Sequence, residues 1–389
     1  MKRIINIGIG IILLWVVLSN CVDKFNAHLP VEDMGLLIVE GNIISDSTVV
    51  FQLSRSFSLD MESFPQDYNQ IDADVSVVGS DGSCFNGTSL GKGKYQVAIG
   101  TLNKDAGYSL KIVYAGDTYT SEPQSPLETE NIDSVTYEQS EEYGDIHIRV
   151  STHSKGAAYY FWSYEEDWEV RSEYVIEWFY NPETDEVTYH KDTPYARGWC
   201  HNESSEILIG STEHNVDNRL KDKQLYSIIP NDLEGNNRVS CYYSTLMKQR
   251  RISRAEYEYY QNKIKFNEEM GGLFTPQPSE LPTNIICDNP QKQAIGYIGT
   301  NMNVTKYRTF ISYEDITYEQ LRNCKLLAVF YNNPTFIELY MMNYRLAFYS
   351  PITKRDTTSW APLGCTDVRD LGATLDKPPF WPEESNIKH

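Results

Sequence analysis

Apolar and polar residues alternate along most of the first third of the chain after residue 36. In TVVFQLSRS (48–56), the valine, phenylalanine and leucine at alternate positions fall on one face of an extended strand. The stretches LLIVEGNI (36–43) and YSLKIVYAGDTYTSE (108–122) are also strand-like, and Asp81-Gly82 is a hairpin signal. Five to seven short strands at this spacing predict a small β-sandwich over residues 36–127.

The segment PQSPLETENIDSV (123–135) is rich in proline and acidic residues, and it predicts a domain boundary near residue 127. Residues 128–389 then return to strand-like patterns, among them the aromatic run AAYYFWSYEEDWEVRSEYVIEWFYN (157–181). Aromatic and β-branched residues favour strands. We therefore expect a second, larger β-rich domain at the C-terminal end.

One segment of the second region has the spacing of a helix. Ser253 is a suitable N-cap, and Glu256 stands three residues later, which is the pattern of a capping box. Gly271-Gly272 can end the helix. The sequence predicts a mainly β protein with one clear helix at about 253–270.

The first 20 residues differ from everything after them. Lys2 and Arg3 form a positive start, and residues 4–18 are almost wholly apolar. A membrane-spanning helix needs about 20 apolar residues, so this shorter segment is typical of a secretory signal peptide over residues 1–20.

Cys21 lies where this leader meets the polar chain. Leu18 and Ser19 fit a bacterial lipobox, in which cleavage precedes a cysteine that carries acyl chains, whereas Asn20 departs from the usual small residue. We expect lipidation of Cys21, followed by a short tether over residues 21–35. Several acyl chains would anchor the protein stably, because each buried CH₂ contributes about 0.8 kcal/mol. An ordinary signal peptide cleaved nearby, or an N-terminal membrane anchor, is the alternative.

Composition and charge bear on two questions, nucleic-acid binding and disulfide formation. The formal net charge of −20 argues against nucleic-acid binding, because phosphates require lysine and arginine. Cysteines beyond the leader are permitted to form disulfides in the envelope, but no C-x-x-C pair is present, and the 15 possible pairings stay open. These cysteines are Cys84, Cys200, Cys241, Cys287, Cys324 and Cys365.

No motif for catalysis or metal binding emerges from the residues. Ser89 in GTSLG has the spacing of a hydrolase nucleophile, but it lies between predicted strands and lacks the helix that such a turn needs. Cys200-His201 with His214 is the only mild cluster of metal ligands, and adjacent residues of a strand point to opposite faces. We therefore expect no catalytic residue, no metal and no cofactor.

The stretch YEEDWE and the residues before it combine acids with aromatic rings. Trp162, Tyr164 and Trp168 are the first candidates for contact with a ligand or partner, although core packing is the commoner use of such rings. Glycoside hydrolysis needs two carboxylates about 5–10 Å apart. Glu165 and Asp167 are the candidates for that chemistry, and a solvated strand edge is the simpler interpretation.

Longer stretches resemble one family of lipoproteins. CVDKFN, LLIVEGNI, ADVSVVGSDGS and YSLKIVYAGDTYTSEP are similar to the start of that family, and CYYSTLMKQRRISRAEYEYYQNKIKFNEEMGGLFTPQPSELPTNI is closer still. The ending CTDVRDLGATLDKPPFW is similar to the close of the family, but only Cys365 stands in the final turn, where many relatives have two cysteines. The chain is identified as a member of the Bacteroidota lipoproteins catalogued as domain of unknown function 4249 (DUF4249).

The resemblance implies a lipid-anchored envelope protein with an N-terminal transthyretin-like or Ig-like sandwich, and it carries over no catalytic residues. Relatives are often encoded beside SusC-like TonB-dependent transporters. We expect an outer-membrane lipoprotein, exposed at the cell surface, that serves such a transporter as a non-catalytic accessory or ligand-binding partner in nutrient uptake. A surface adhesion or glycan-binding lipoprotein without a transporter is one alternative, and a glycan-processing enzyme is another. The ligand, whether small molecule, peptide or glycan, stays open.

Overall fold

Strands dominate the computed structural model, which describes residues 36–56, 70–230, 238–269, 283–317, 324–330, 333–349 and 357–383. Of these residues, 50% lie in strands and 11% in helices, so the prediction of a mainly β protein is confirmed. The predicted signal peptide, Cys21 and the tether lie outside the described residues. Within the described ranges, neither α-helix combines the length and apolar character needed to cross a membrane.

The first region contains short strands separated by turns. In chain order they are β1 Leu37–Glu40, β2 Ile43–Ile44, β3 Thr48–Arg55, β4 Ala73–Gly79, β5 Cys84–Gly91, β6 Lys94–Ala98, β7 Tyr108–Tyr114 and β8 Asp117–Ser121.

The second region continues with strands and two α-helices. In chain order they are β9 Ile132–Gln139, β10 Ile146–His153, β11 Tyr159–Arg171, β12 Trp178–Asn181, β13 Glu186–Tyr189, β14 Arg197–Glu203, β15 Leu208–Ser211, β16 Arg219–Ile228, β17 Tyr242–Ile252, α1 Arg254–Glu269, β18 Ile285–Cys287, β19 Ala294–Ile295, β20 Thr300–Asn301, β21 Thr305–Ser312, β22 Leu327–Phe330, α2 Asn333–Met341, β23 Tyr344–Phe348 and β24 Thr357–Pro362.

A nine-stranded sheet, called here the first sheet, has the order β18-β8-β7-β4-β5-β6-β3-β1-β19. Strand β5 pairs with β4 through its first half and with β6 through its second half. It thereby joins two parts, β18-β8-β7-β4 and β6-β3-β1-β19, into one sheet. Phe51, Val77, Tyr95 and Leu110 come from both parts of this sheet and pack in one buried cluster. Alternating apolar residues therefore supply the core, as the sequence pattern indicates.

Two strands of the first sheet come from far along the chain. β18 pairs with β8, and β19 pairs in parallel with β1. The predicted ranges 36–127 and 128–389 therefore share one sheet, which local pattern could not reveal. The boundary near residue 127 and the transthyretin-like or Ig-like type of the sandwich stay predictions.

Two further sheets pack face to face around a second core. One has the order β16-β10-β9, and the other, called here the central sheet, has the order β14-β11-β17-β21, with β15 also paired to β11. Their facing side chains include Ile148, Val150, Trp162, Tyr243 and Met247, all of which are buried. β11, with 13 residues, is the longest of the described strands, and it contributes side chains to both faces of the central sheet.

Helix α1 confirms the predicted helix at about 253–270, since it runs from Arg254 to Glu269. The Glu256 amide donates to the Ser253 hydroxyl at 3.1 Å, so the predicted N-cap is also confirmed. Helix α2 was not predicted. It has only nine residues, and it is stabilised through Phe336, whose ring packs against Trp360 with centroids 4.9 Å apart. Tertiary packing of this kind decides short helices.

A disulfide joins Cys324 to Cys365 and closes a loop with a sequence separation of 41. The loop carries the small sheet β22-β24-β23 together with α2. Cys84, Cys200 and Cys287 are free thiols. The bridge therefore closes a small unit, whose Trp360 packs in a buried cluster that also includes Tyr180 of β12.

We expect Cys324→Ser to loosen this small unit. Closing a loop of this length restricts the unfolded chain by about 4 kcal/mol in the chain-entropy description. Hydrogen exchange of peptides between residues 324 and 365 should become faster, while the first sheet keeps its protection. Cys84→Ser is the matched control, because that thiol is exposed and unpaired. Equal protection in both variants would contradict this role of the bridge.

Candidate functional site

The structure buries the three aromatic residues proposed for contact. Trp162 is fully buried, and its indole Nε1 donates to Gln249 Oε1 at 2.8 Å. Tyr164 is 7% exposed and stacks on Tyr226 with ring centroids 3.7 Å apart. Trp168 is 6% exposed and lies beneath the Arg238 guanidinium. An enclosed ring cannot touch a partner, so this placement argues against the predicted contact role.

The reason lies in the surroundings of β11. Its even-numbered residues face the core between the two packed sheets. Its odd-numbered residues face outward, but α1 covers one end, where Phe161 meets Tyr260 with centroids 4.8 Å apart. The C-terminal segment covers the other end, where Trp381 Nε1 lies 3.3 Å from Glu169 Oε2. The alternation of residues along the sequence does not show which parts of a strand are covered by other elements.

The acids of β11 are engaged with other groups. Glu165 pairs with Lys248. Burial raises the pKa of Glu165, but the hydrogen bond and charge of Lys248 outweigh it, so the pKa lies below its ordinary value. A general acid in glycoside hydrolysis needs a raised pKa, so Glu165 is poorly suited to that role.

Asp167 is equally committed to the structure. Its carboxylate accepts from His201 Nδ1 at 2.8 Å and from Arg308 Nη1 at 3.1 Å. Glu169 is fully buried and pairs with Arg197 at 2.9 Å. These contacts stabilise the carboxylates in place. They give no support to a glycan-processing role for Glu165 or Asp167.

The weaker candidates for chemistry are scattered. Ser89 is an exposed residue of β5, which turns back into β6. Cys200 is buried, with Sγ 3.7 Å from the Leu371 carbonyl oxygen, whereas His201 faces Asp167 on the other side of the strand. His214 is almost fully exposed. The mild cluster in the sequence therefore does not converge.

One group in the described part of the chain has metal-ligand types close together. Ligand atoms of Asp117, Cys287 and Asp288 lie within 4.8 Å of one another. The ammonium group of Lys292 pairs with the Asp117 carboxylate, so a protein cation already balances that charge.

A polar cleft of about 610 Å³ opens between the first sheet and the central sheet. One wall comes from β2 and the turn into β3, and the floor comes from the outward faces of β11 and β17 and the segment leading into β21. The lining residues are Asn42, Ile44, Ser45, Asp46, Ser47, Thr48, Val49, Phe161, Ser163, Lys248, Arg250, Met302, Asn303, Val304 and Lys306.

The strand register arranges the floor in rows. Ser163 lies opposite Lys248, which lies opposite Lys306, so the three residues form one row across β11, β17 and β21. Phe161 and Arg250 form the next row. Residues paired across antiparallel strands share a face of the sheet, so both rows point into the cleft.

A buried ion pair lies beneath the floor of the cleft. Arg250 Nη1 lies 2.7 Å from Glu256 Oε1, with the two side chains 6% and 2% exposed. Burial raises the pKa of the Glu256 carboxyl, and the guanidinium opposes that effect. The predicted capping box is therefore half correct, because the Glu256 carboxylate pairs with Arg250. A Cβ at Gly299 would lie 2.4 Å from Glu256 Oε2 and 3.0 Å from Arg250 Nη1, so a side chain at this position would displace the ion pair.

The opposite wall is a tight turn. Asp46 has a φ of 52°, and its carboxylate accepts from the Thr101 hydroxyl at 2.6 Å and the Ser45 hydroxyl at 3.1 Å. Asn42 adds a buried side-chain oxygen, Oδ1, that has no hydrogen bond within the described residues. The wall is therefore polar, and hydrogen bonds from Ser45 and from the more distant Thr101 hold the turn.

Sequence reasoning missed the cleft because its residues come from segments far apart in the chain. The lysines on β17 and β21 are unremarkable in their local patterns, and only the cross-strand register brings them together. A mainly β fold with a polar cleft between two sheets defines a candidate binding protein, since such concave sites of about 300–1,000 Å³ are where ligands usually bind.

A comparison with family models shows the family to which the chain belongs. The model of the family described as "Domain of unknown function (DUF4249)" matches residues 22–308, and the chain belongs to that family. All of the cleft-lining residues fall within the matched range. A comparison with curated proteins finds no match.

Solved structures add no argument. A crystal structure of a DUF4785 family protein from Legionella pneumophila is 10% identical, with a TM-score of 0.15. The match covers 49% of this chain and 54% of that one, so this chain spans about half the length of that protein.

We expect Arg250→Met to destabilise the protein by about 3–5 kcal/mol, because it leaves the Glu256 charge buried without a partner. The double variant Arg250→Met/Glu256→Leu should recover most of this loss. Lys263→Met is the control, because its pair with Glu40 is near the surface and contributes below about 1 kcal/mol. Denaturant unfolding measures all three. A loss no larger in Arg250→Met than in Lys263→Met would contradict the structural role of the buried pair.

Proposed function

We propose that this protein is a lipid-anchored outer-membrane protein that binds a small ligand in the cleft, without catalysis, as a partner of a SusC-like TonB-dependent transporter. The observation that carries the proposal is the cleft of about 610 Å³ with polar groups converging from two sheets. Its volume lies within the range of small-molecule sites.

The same residues favour binding over catalysis. The acids of β11 that could serve glycoside hydrolysis are held by Lys248, His201, Arg308 and Arg197. The cleft floor presents Ser163 and basic side chains, with no carboxylate of β11 among its described lining residues. A site that holds a ligand through fixed polar groups is consistent with capture and release.

The membrane anchor and the transporter rest on different support. The leader and Cys21 indicate lipidation, and the family resemblance suggests the neighbouring transporter. A surface lipoprotein beside a barrel would hold ligand at the barrel entrance, which raises its effective concentration there.

A glycan-binding or adhesive role is the second candidate, and one feature favours it. A recess of about 350 Å³ beside the β12–β13 hairpin is lined by Phe179, His190 and Tyr195. The Phe179 ring meets His190 and Tyr195 edge to face, with centroids 4.9 and 6.1 Å apart. Asn181 and Asp192 add hydrogen-bonding groups at its rim. Aromatic faces with nearby polar groups suit sugar rings.

Filling the cleft tests the ligand site. Ser163→Trp places a bulky ring on the floor, so a ligand that raises the melting temperature of the full chain should no longer do so. Ser76→Trp is the matched control, because Ser76 is also half-buried on a strand but lies outside the cleft. A panel of sugars, amino acids, nucleotides and organic acids supplies the probes. Equal responses in both variants, or no response in any protein, would refute the cleft as the ligand site.

The transporter partnership has its own test. After mild detergent extraction of native membranes, the full chain should copurify with an outer-membrane barrel, and Cys21→Ala should abolish membrane retention. Recovery of the lipoprotein alone, under conditions that keep other barrel complexes intact, would contradict the partnership with a transporter. Retention of Cys21→Ala in the membrane, with the leader removed, would overturn the anchor.

A further inference from the structure

The β12–β13 hairpin has one covered face and one open face. Trp178 lies on the covered face, where its ring meets that of Tyr349 with centroids 5.1 Å apart. Phe179 lies opposite Thr188 in the register of the hairpin, so these two residues share the other face. Phe179 is half-buried and Thr188 is exposed. This open face contributes to the recess of about 350 Å³.

Three rings stand at steep angles to one another in the recess. The plane of Phe179 is 82° from that of His190 and 80° from that of Tyr195. The His190 amide donates to the Glu177 carbonyl oxygen at 2.8 Å, and its ring Nε2 lies 3.1 Å from Thr188 Oγ1. Rings at right angles enclose a compact group, which is the arrangement of the aromatic cages that bind quaternary ammonium ligands.

The ring of Tyr195 is held in place by a cation of the protein. The central guanidinium carbon of Arg369 lies 3.7 Å from the centroid of this ring, and Arg369 Nη2 donates to the Asp367 carboxylate at 2.7 Å. Arg369 lines the adjoining recess of about 280 Å³ and does not line the recess at Phe179. Tyr195 is therefore fixed from one side, and it lines the recess at Phe179 without an arginine beside it.

The only charged carboxylate or basic group of fixed sign among the described lining residues of this recess is Asp192. Asp192 is exposed, and its side chain has neither an ion pair nor a hydrogen bond within the described part of the chain. The full chain has a net charge of −20, so its long-range field also attracts cations. Aromatic rings beside a carboxylate that no cation of the protein balances favour a positively charged ligand.

We propose that the recess binds an organic ammonium group between the rings of Phe179, His190 and Tyr195. Asp192 at the rim supplies the opposite charge. A neutral sugar in the same place would gain nothing from that charge, whereas an ammonium group is attracted both by the carboxylate and by the faces of the rings. The recess and the cleft share no lining residue, so this inference does not rest on a ligand in the cleft.

The probes are choline and its neutral isostere, in which a tert-butyl group replaces the trimethylammonium group. Ligand-observed NMR titrations of the full chain at low ionic strength should show choline binding, with the isostere bound roughly tenfold more weakly. Phe179→Leu should weaken choline binding by about fivefold, the size of one cation–π contact. Asp192→Asn should weaken it by about threefold, as the loss of an exposed ion pair does. Asp105→Asn is the matched control, because Asp105 is an exposed acid outside the recess.

Each alternative ligand class gives a different result. Equal binding of choline and its isostere would show an apolar pocket and overturn the ammonium class. Binding of glucose without binding of choline would overturn it in favour of a sugar. Choline binding that is unchanged in both Phe179→Leu and Asp192→Asn, or no choline binding at millimolar concentration, would also overturn the proposal.

Two further measurements keep this test separate from folding and from the cleft. Asp192 is exposed, so Asp192→Asn should keep the melting temperature of the unaltered protein. Ser163→Trp alters the cleft and leaves the recess as it is, so it should bind choline as the unaltered protein does. Loss of choline binding in Ser163→Trp would place the ammonium site in the cleft and overturn its assignment to the recess.

Discussion

The position of the cleft depends on the short strand β20, which connects β2 to the central sheet. β20 pairs in parallel with β2, and Asn301 within it is fully buried. Asn301 Nδ2 donates to the Arg251 carbonyl oxygen at 2.7 Å and lies 3.4 Å from the Leu127 carbonyl oxygen. Loss of these bonds would leave buried carbonyls unsatisfied. One residue thus ties β2 to β17, and the two sides of the cleft are held relative to each other.

The central sheet shows how a strand can carry aromatic and acidic residues without exposing either. One face of β11 lies in the core and the other is covered at both ends, so its rings enter the core and its acids must find partners. Burying an unpaired carboxylate is costly, and each of these acids is met by a base or a hydroxyl. Glu166 is one example, since it is 1% exposed and accepts from the Tyr243 hydroxyl at 2.6 Å. Their arrangement is accounted for by the stability of the sheet.

Local chemistry in the sequence predicted local structure well. The Asp81-Gly82 turn joins β4 to β5, with Gly82 at a φ of 87° and Asp81 Oδ1 accepting from the Ser83 amide. The Ser253 cap begins α1 because its side chain satisfies an amide within the same turn. These features depend on neighbours a few residues apart, which a single sequence displays directly.

Long-range pairings could not be predicted in the same way. β18 and β19 pair with strands of the first sheet that lie more than 150 residues away in the chain. No periodicity within β18 or β19 identifies the strands with which they pair. The burial of Trp162, a candidate for contact, could not be predicted for the same reason, because a strand pattern does not say what covers its faces. The row of Lys248 and Lys306 exists only once β17 and β21 are in register. The cleft is therefore a property of the pairing of strands.

Buried polar atoms without hydrogen bonds in the described part of the chain do not distinguish the cleft from the rest of the central sheet. Asn42 Oδ1 lies at the cleft, but Trp168 Nε1 and Trp199 Nε1 on the central sheet are in the same state. Each such group costs about 1–3 kcal/mol, and atoms buried in this way have no surface that a ligand in an open cleft could reach. What distinguishes the cleft is its position, because side chains of β2, β11, β17 and the segment before β21 meet there around one volume of about 610 Å³.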